Sequence, residues 1–168
     1  MSEPARVLIP ETETQTAPAP VLPMHWHNFL NRFMLYLAAA VHVLQSIWIF
    51  SGKIYYTPEI RAQIYAGIPA MRIIDWALAL SLLGSAGLQI IARGKLKGLH
   101  WRGVQLLTAA YAVLAASQLL YALARFLFAG LSPLNIPVLA QVISYAALLL
   151  VNKTYYTRRR SAFGKETK

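Results

Sequence analysis

The chain reads as an all-α integral membrane protein, a four-helix bundle with both termini in the cytoplasm. Three observations predict this. Four long stretches carry no formal charge, basic residues gather on one side of them, and aromatic residues mark their ends. Between Arg32 and Lys53 lie about twenty residues without Asp, Glu, Lys or Arg, and similar gaps separate Asp75 from Arg93, Arg102 from Arg125, and Arg125 from Lys153. A hydrocarbon core of about 30 Å needs about 20 apolar residues of helix, so each gap is long enough to span.

The composition agrees. Hydrophobic residues make up 57% of the 168 positions and charged ones 13%, a balance that suits a membrane bundle. Four spans and their connections use nearly everything after Met24. This predicts a Pro-rich disordered tail over 1–24, the bundle over 25–160, and a short basic tail over 161–168. The N-terminal stretch holds Glu3, Glu11 and Glu13 and has no apolar core or basic start, so it does not read as a cleavable signal. The Thr16-Ala-Pro-Ala-Pro20 run suits a disordered segment. Cysteine is absent, which excludes disulfides, thiolate metal sites, iron–sulfur clusters and cysteine nucleophiles.

The first span is expected from about Phe29 to Phe50, with Gly52 as its stop. In the connection that follows, residues 59–65 alternate apolar and polar at helical spacing, which predicts a short surface helix. The second span is expected from about Met71 to Ala92. Arg93, Lys95, Lys97 and Arg102 then crowd a loop with Gly94, Gly98 and Gly103 as turn or cap residues. The third span is expected over about 104–128. A loop containing Pro133 and Asn135 leads to the fourth, from about Val138 to Val151 and on as helix through Tyr156.

Orientation follows from the basic residues. With the N-terminus inside, twelve Lys and Arg lie on the inner side, and only Lys53, Arg61, Arg72 and Arg125 lie on the outer one. That bias places both termini in the cytoplasm. Trp26, Phe29, Trp101, Tyr155 and Tyr156 would band the inner interface. Trp48, Phe50, Tyr55, Tyr56, Trp76, Phe126 and Phe128 would band the outer one. The net charge of +10 therefore points to topology and anionic lipid rather than to nucleic acid. Lys153, Arg158, Arg159 and Arg160, directly after a span, are the expected headgroup contacts.

Polar residues inside spans should face protein, since lipid cannot satisfy them. They form a seam on each span at spacings of three and four. The seams are Asn28, Asn31, His42 and Gln45 on the first, Arg72, Asp75 and Gln89 on the second, Thr108, Tyr111, Gln118 and Arg125 on the third, and Gln141, Tyr145 and Asn152 on the fourth. Such seams predict left-handed bundle packing. Ala77, Ser81, Gly84 and Ser85 form a small-residue face on the second span, suited to a closer contact. At 1.5 Å per residue, His42, Gln118 and Gln141 share a level roughly 20 Å from the inner boundary. With Gln45, and with Asp75 nearer the outer boundary, they form a candidate polar cluster. Two readings stay open for it: interhelical hydrogen bonds, or a small polar cavity open to the outside. Asp75 has the same double reading. Arg72 at i−3 predicts a structural ion pair, whereas an intramembrane carboxylate also suits an ion or substrate site.

A b-type haem would need two imidazoles facing each other at one depth. His42 lies in the outer half, while His25, His27 and His100 lie at the inner boundary. No cofactor and no metal is therefore expected. No hydrolase, kinase or nucleotide motif is present, and the chain is expected not to be an enzyme. Asn152-Lys-Thr154 matches a glycosylation acceptor that its inner location leaves idle.

Tyr65-Ala66-x-x-Pro69-Ala70-Met71-Arg72-x-Ile74-Asp75 opens the second span, and Asn152-Lys153-x-Tyr155-Tyr156-x-x-Arg159-x-x-x-Phe163 closes the fourth. Together with Trp26-x-x-Phe29, these motifs resemble those of a group of small, functionally uncharacterised four-helix membrane proteins of bacteria. The resemblance covers residues 26–163 and implies the four-helix fold and a bacterial cytoplasmic membrane. It assigns no catalytic residue. The Pro-rich tail and the Arg158–Arg160 run depart from the group's pattern. The functional expectation is a non-enzymatic small membrane protein acting as a homo-oligomer or as an accessory subunit of a membrane complex. The alternatives are an oligomeric transporter or channel for a small solute or ion, and a haem-bearing quinone-linked anchor.

Overall fold

A computed structural model of the chain describes residues 23–54, 57–130 and 136–164. The Pro-rich tail up to residue 22, Tyr55 and Tyr56, the turn residues Pro133 and Asn135, and Lys165 and Lys168 lie outside the described residues. Five helices are described: α1 (His25–Phe50), α2 (Pro58–Gly67), α3 (Ala70–Lys97), α4 (Trp101–Ala129) and α5 (Ile136–Thr157). All but α2 are long and apolar enough to cross a membrane, which makes this a multi-pass membrane protein. Their 22 to 29 residues give lengths of about 33 to 44 Å, so each outruns a 30 Å core and reaches headgroup level.

The first span departs from expectation by starting earlier. It includes one wide π turn over Leu30–Met34. Within that turn the Asn31 carbonyl accepts a hydrogen bond from Arg93 Nε at 2.8 Å, and the Arg93 guanidinium lies 4.0 Å from the centre of the Tyr36 ring. Helix α2 is the expected surface helix. Thr57 caps it, its hydroxyl accepting from the Ile60 N–H at 3.3 Å, and Pro58 occupies the first turn, both standard start signals. It buries no residue.

The connection between α3 and α4 is much shorter than the expected loop over 93–103. Lysine, arginine and leucine are good helix formers, so α3 continues through Lys97 and α4 resumes at Trp101. Two hydrogen bonds close the α3 end, Leu99 N–H to Leu96 O at 2.9 Å and His100 N–H to Lys95 O at 3.0 Å. This is a Schellman closure with the left-handed residue at Leu99, φ 53°. Gly98 stands one position earlier, as the cap. Gly103 is no turn residue. It lies inside α4, where an added Cβ would come within 2.7 Å of the Leu96 backbone nitrogen, so it sets how closely α3 and α4 approach.

Helix α3 packs against α1 and α4, and α4 against α5. Leu35, Leu82, Leu107 and Leu114 fill the interfaces. The expected seams hold at Asn31, His42, Asp75, Gln89, Tyr111, Gln118 and Asn152, all of which are buried. Arg72 and Asn28 depart from them and are exposed. The small-residue face makes no close contact within the described chain at Gly84, where an added Cβ would meet nothing within 4 Å. Ser85, expected on that face, is buried instead. Helix α5 buries only Asn152 and Tyr156, both near its Thr157 end. It is anchored at that end, and its other half packs less tightly.

Candidate functional site

The loose half of α5 leaves a cavity. It has a volume of about 580 Å³ and lies among α1, α3, α4 and α5, at the end of the bundle opposite the Lys- and Arg-rich ends of α3 and α5. Leu44, Ile49, Leu78, Leu82 and Val138 are among the apolar residues of its wall. Gln45, Gln118, Gln141 and Arg125 supply its polar groups. The three expected glutamines are thus brought together from three helices. Among the described residues, none of their amides makes a hydrogen bond, although Gln118 is only 6% exposed. Arg125 rests its guanidinium 5.6 Å from the centre of the Tyr121 ring. An apolar cavity of this size with a few convergent donors and acceptors has the character of a small-molecule site.

Asp75 does not line the cavity. Its side chain is fully buried, and its carboxylate accepts hydrogen bonds from the Tyr65 hydroxyl at 2.8 Å and the Tyr121 hydroxyl at 2.9 Å. It therefore ties α2 and α4 to α3, while Tyr121 also walls the cavity. Arg72, expected to pair with Asp75, lies instead over the Trp76 ring at 4.9 Å from its centre. The physical reason is the helix itself. Asp75 faces the interior and Arg72 the surface, where an arginine plane stacks well on indole. Burial and the Asp75 hydrogen bond push the Tyr65 hydroxyl up to about 12, because both penalise a second negative charge.

His42 lies one turn deeper than Gln45 and outside the cavity. Its Nε2 shares a 3.2 Å hydrogen bond with the Tyr145 hydroxyl, in the direction the imidazole tautomer sets. Gln89 stands within reach of it, yet among the described residues His42 Nδ1, both Gln89 amide atoms and Ser85 Oγ are buried without a hydrogen bond of good geometry. Ser46 Oγ, by contrast, donates to Ala79 O at 2.8 Å and links α1 to α3. The expected cluster of His42, Gln45, Asp75, Gln118 and Gln141 is thus three adjoining features: a cavity with three amides, a tyrosine-held carboxylate, and a group of buried polar side chains around His42.

The basic end is built from residues expected as an interfacial aromatic band. Trp26 Nε1 donates to Asn152 Oδ1 at 3.0 Å. His27 is buried, with Asn31 Nδ2 donating to its Nε2 at 2.9 Å and its Nδ1 lying 3.2 Å from the Tyr156 hydroxyl. Tyr156 is fully buried, and Phe163, from the expected C-terminal tail, packs edge-on against His27, Trp101 and Tyr156. Of the rings expected at the inner headgroup level, Tyr156 is packed core, Trp26, Trp101 and Tyr155 are half-buried against it, and Phe29 is exposed. Of the four residues expected at headgroups, Arg159 stacks 3.9 Å from the Tyr155 ring centre and donates from Nε to Pro23 O at 3.1 Å. Arg160 lies 5.0 Å from the Trp101 ring centre. Lys153 and Arg158 are exposed.

Sequence reasoning missed Tyr65 and Tyr121 as partners of Asp75, and His27 as a buried group. A signal existed for two of them: Tyr121 lies three residues from Gln118, and His27 four residues from Asn31, both at seam spacing. His27 and His42 sit fifteen positions apart on one helix, a rise of roughly 22 Å, so they cannot hold one haem. Among the described residues no three His, Asp or Glu side chains gather as a metal site. No family model, no curated protein and no solved structure matches this chain.

Proposed function

We propose that the protein is a non-enzymatic membrane subunit that holds a small amphipathic molecule in the 580 Å³ cavity, working as a homo-oligomer or within a larger membrane complex. One observation carries this reading. Gln45, Gln118 and Gln141 bring three amides without partners to an otherwise apolar chamber in a membrane-spanning bundle. In that setting an unpaired amide is costly, and a ligand with oxygen or nitrogen groups at one end and an apolar body would satisfy the amides and fill the wall. The sparsely buried helix α5 supports assembly, since a partner helix beside it would add the contacts that the chain itself does not supply. The Lys and Arg bias supports placing both termini in the cytoplasm, and the motif resemblance supports a bacterial inner membrane.

Binding suits the geometry better than conduction. Inward of the cavity the helix interfaces are filled by Leu107, Ala110, Tyr111 and Leu114, all buried, which supports a closed inner half. The transport reading draws on the His42–Tyr145 pair, which continues polar groups one turn further in. Native mass measurement after gentle extraction separates the readings. The wild-type protein is expected to carry a small molecule in a fixed ratio, and Val138→Trp, which fills the cavity, is expected to lose it at unchanged fold. Equal retention by both forms, or no bound molecule in either, contradicts the proposal. The same spectrum gives the number of chains.

A further inference from the structure

A second recess lies near the same end, formed where α1 ends and α3 begins under α2. It has a volume of about 340 Å³ and is lined by Phe50, Gly52, Arg61, Tyr65, Arg72 and Trp76. We infer that this recess binds a phosphate group, through the guanidinium forks of Arg61 and Arg72. The site is separate from the cavity of the glutamines, and the inference does not rest on that reading.

Two features preorganise the pair. Arg61 Nη1 donates to Ser51 O at 2.8 Å, and its side chain lies against Gly52, where any Cβ would overlap it and where φ is +72°. Glycine is thus required there twice over, for the backbone and for the arginine. Ser51 uses one of the five N–H donors, and among the described residues the others have no hydrogen-bond acceptor and face the recess as donors for a ligand. Arg72 is steadied by the Trp76 face at 4.9 Å. A planar fork held in place suits an oxyanion better than a mobile ammonium does.

The charge balance points the same way. Among the described residues that line the recess none is a carboxylate, and Asp75 behind Tyr65 accepts from the Tyr65 and Tyr121 hydroxyls. Glu59 on α2 is exposed. The recess also has an apolar side. Phe50 and Trp76 meet edge-to-face at 6.4 Å, and Trp76 is the kind of ring that settles at the headgroup level. A phosphate joined to an apolar body would set its anion between the arginines and its body along the rings. The group is therefore a phosphate ester or free phosphate, with a phospholipid headgroup as the source that best fits both sides.

The test uses the full chain in neutral detergent. Phosphatidylglycerol is titrated and its binding read by native mass, with inorganic phosphate as competitor. Arg72→Gln is the decisive variant, because Arg72 is exposed and its loss leaves the fold intact. Arg61→Gln is the second, with the melting temperature checked. Arg158→Gln, at the other end, is the control. The expected result is a weakening on the order of tenfold or more for each recess variant, with none for the control. Indifference to inorganic phosphate assigns the group to a lipid headgroup, and displacement by it assigns the group to the free ion. Either result upholds the phosphate site. Binding unchanged in both recess variants overturns it. Val138→Trp is expected to leave this binding intact, so failure here and failure of the cavity reading are told apart.

Discussion

Tyr121 donates a 2.9 Å hydrogen bond to Asp75 Oδ1 across 46 residues of sequence. Among the described residues, the Tyr65 hydroxyl also donates to this fully buried carboxylate. Buried charges are costly unless hydrogen-bonded, so this contact governs stability at the cavity end. Tyr121→Phe is expected to destabilise by about 1.5–3 kcal/mol, the range for a hydrogen bond to a charged group. Arg72→Gln is expected to stay within about 0.5 kcal/mol, as an exposed substitution away from such a contact does. Unfolding of both variants in detergent checks the pair. A larger loss for Arg72 would restore the ion pair that the sequence suggests.

The Tyr65–Asp75 contact also sets a pH dependence. Burial and the carboxylate raise the Tyr65 hydroxyl from 10.0 to about 12. A folded pKa above the unfolded one means stability that is fully present below about pH 10 and is lost as pH rises through about 12. Tyrosinate absorbance and melting temperature followed from pH 9 to 12 are expected to show this loss. Tyr65→Phe, which cannot ionise, is expected to remove that part of the slope. An identical slope in the variant would deny that the contact is coupled to folding.

Gly103 allows α3 and α4 to meet. An added Cβ would come within 2.7 Å of Leu96 N and 2.9 Å of Ala92 O, both backbone atoms that cannot rotate aside. Gly103→Ala is therefore expected to cost about 1–3 kcal/mol through overpacking. Gly84→Ala, where nothing lies within 4 Å, is expected to be neutral or slightly stabilising, since alanine is the better helix former. Thermal denaturation of the two variants side by side checks the contrast.

Gln89 is fully buried beside His42, and among the described residues neither of its amide atoms makes a hydrogen bond of good geometry. Its amide therefore carries a desolvation cost without a compensating bond. Gln89→Met, similar in volume, is expected to stabilise the fold by about 1–3 kcal/mol. A destabilised variant would show that the polar groups around His42 are satisfied by something beyond the side chains, such as an internal water.

The four spans, the surface helix and most of each seam were legible in the sequence, because lipid penalises charge and polar exposure strongly and periodically. Helix ends were less legible. Lys95 and Lys97 look like loop residues beside a span, but a helix carries them readily to headgroup level. Gln118 and Gln141 of the candidate site could be placed by depth, since depth follows from helical rise, and Gln45 by its place on the seam of the first span. The partners of Asp75 could not. Arg72 at i−3 is a local signal, whereas Tyr121 reaches Asp75 only through the packing of α3 against α4. Tyr156 reads as interfacial for the same reason: an aromatic ring at a span's end carries no sequence mark that tells packed core from headgroup contact.

The most direct test of the central claim places a photoreactive side chain at Gln141, which lines the cavity, and another at Leu150, which is exposed on the same helix. Both are irradiated in native membranes, and the masses of the adducts are read. Binding in the cavity predicts a small molecule attached at 141 and absent at 150, where bulk lipid is captured. The same adducts at both positions, or water alone at 141, would contradict it.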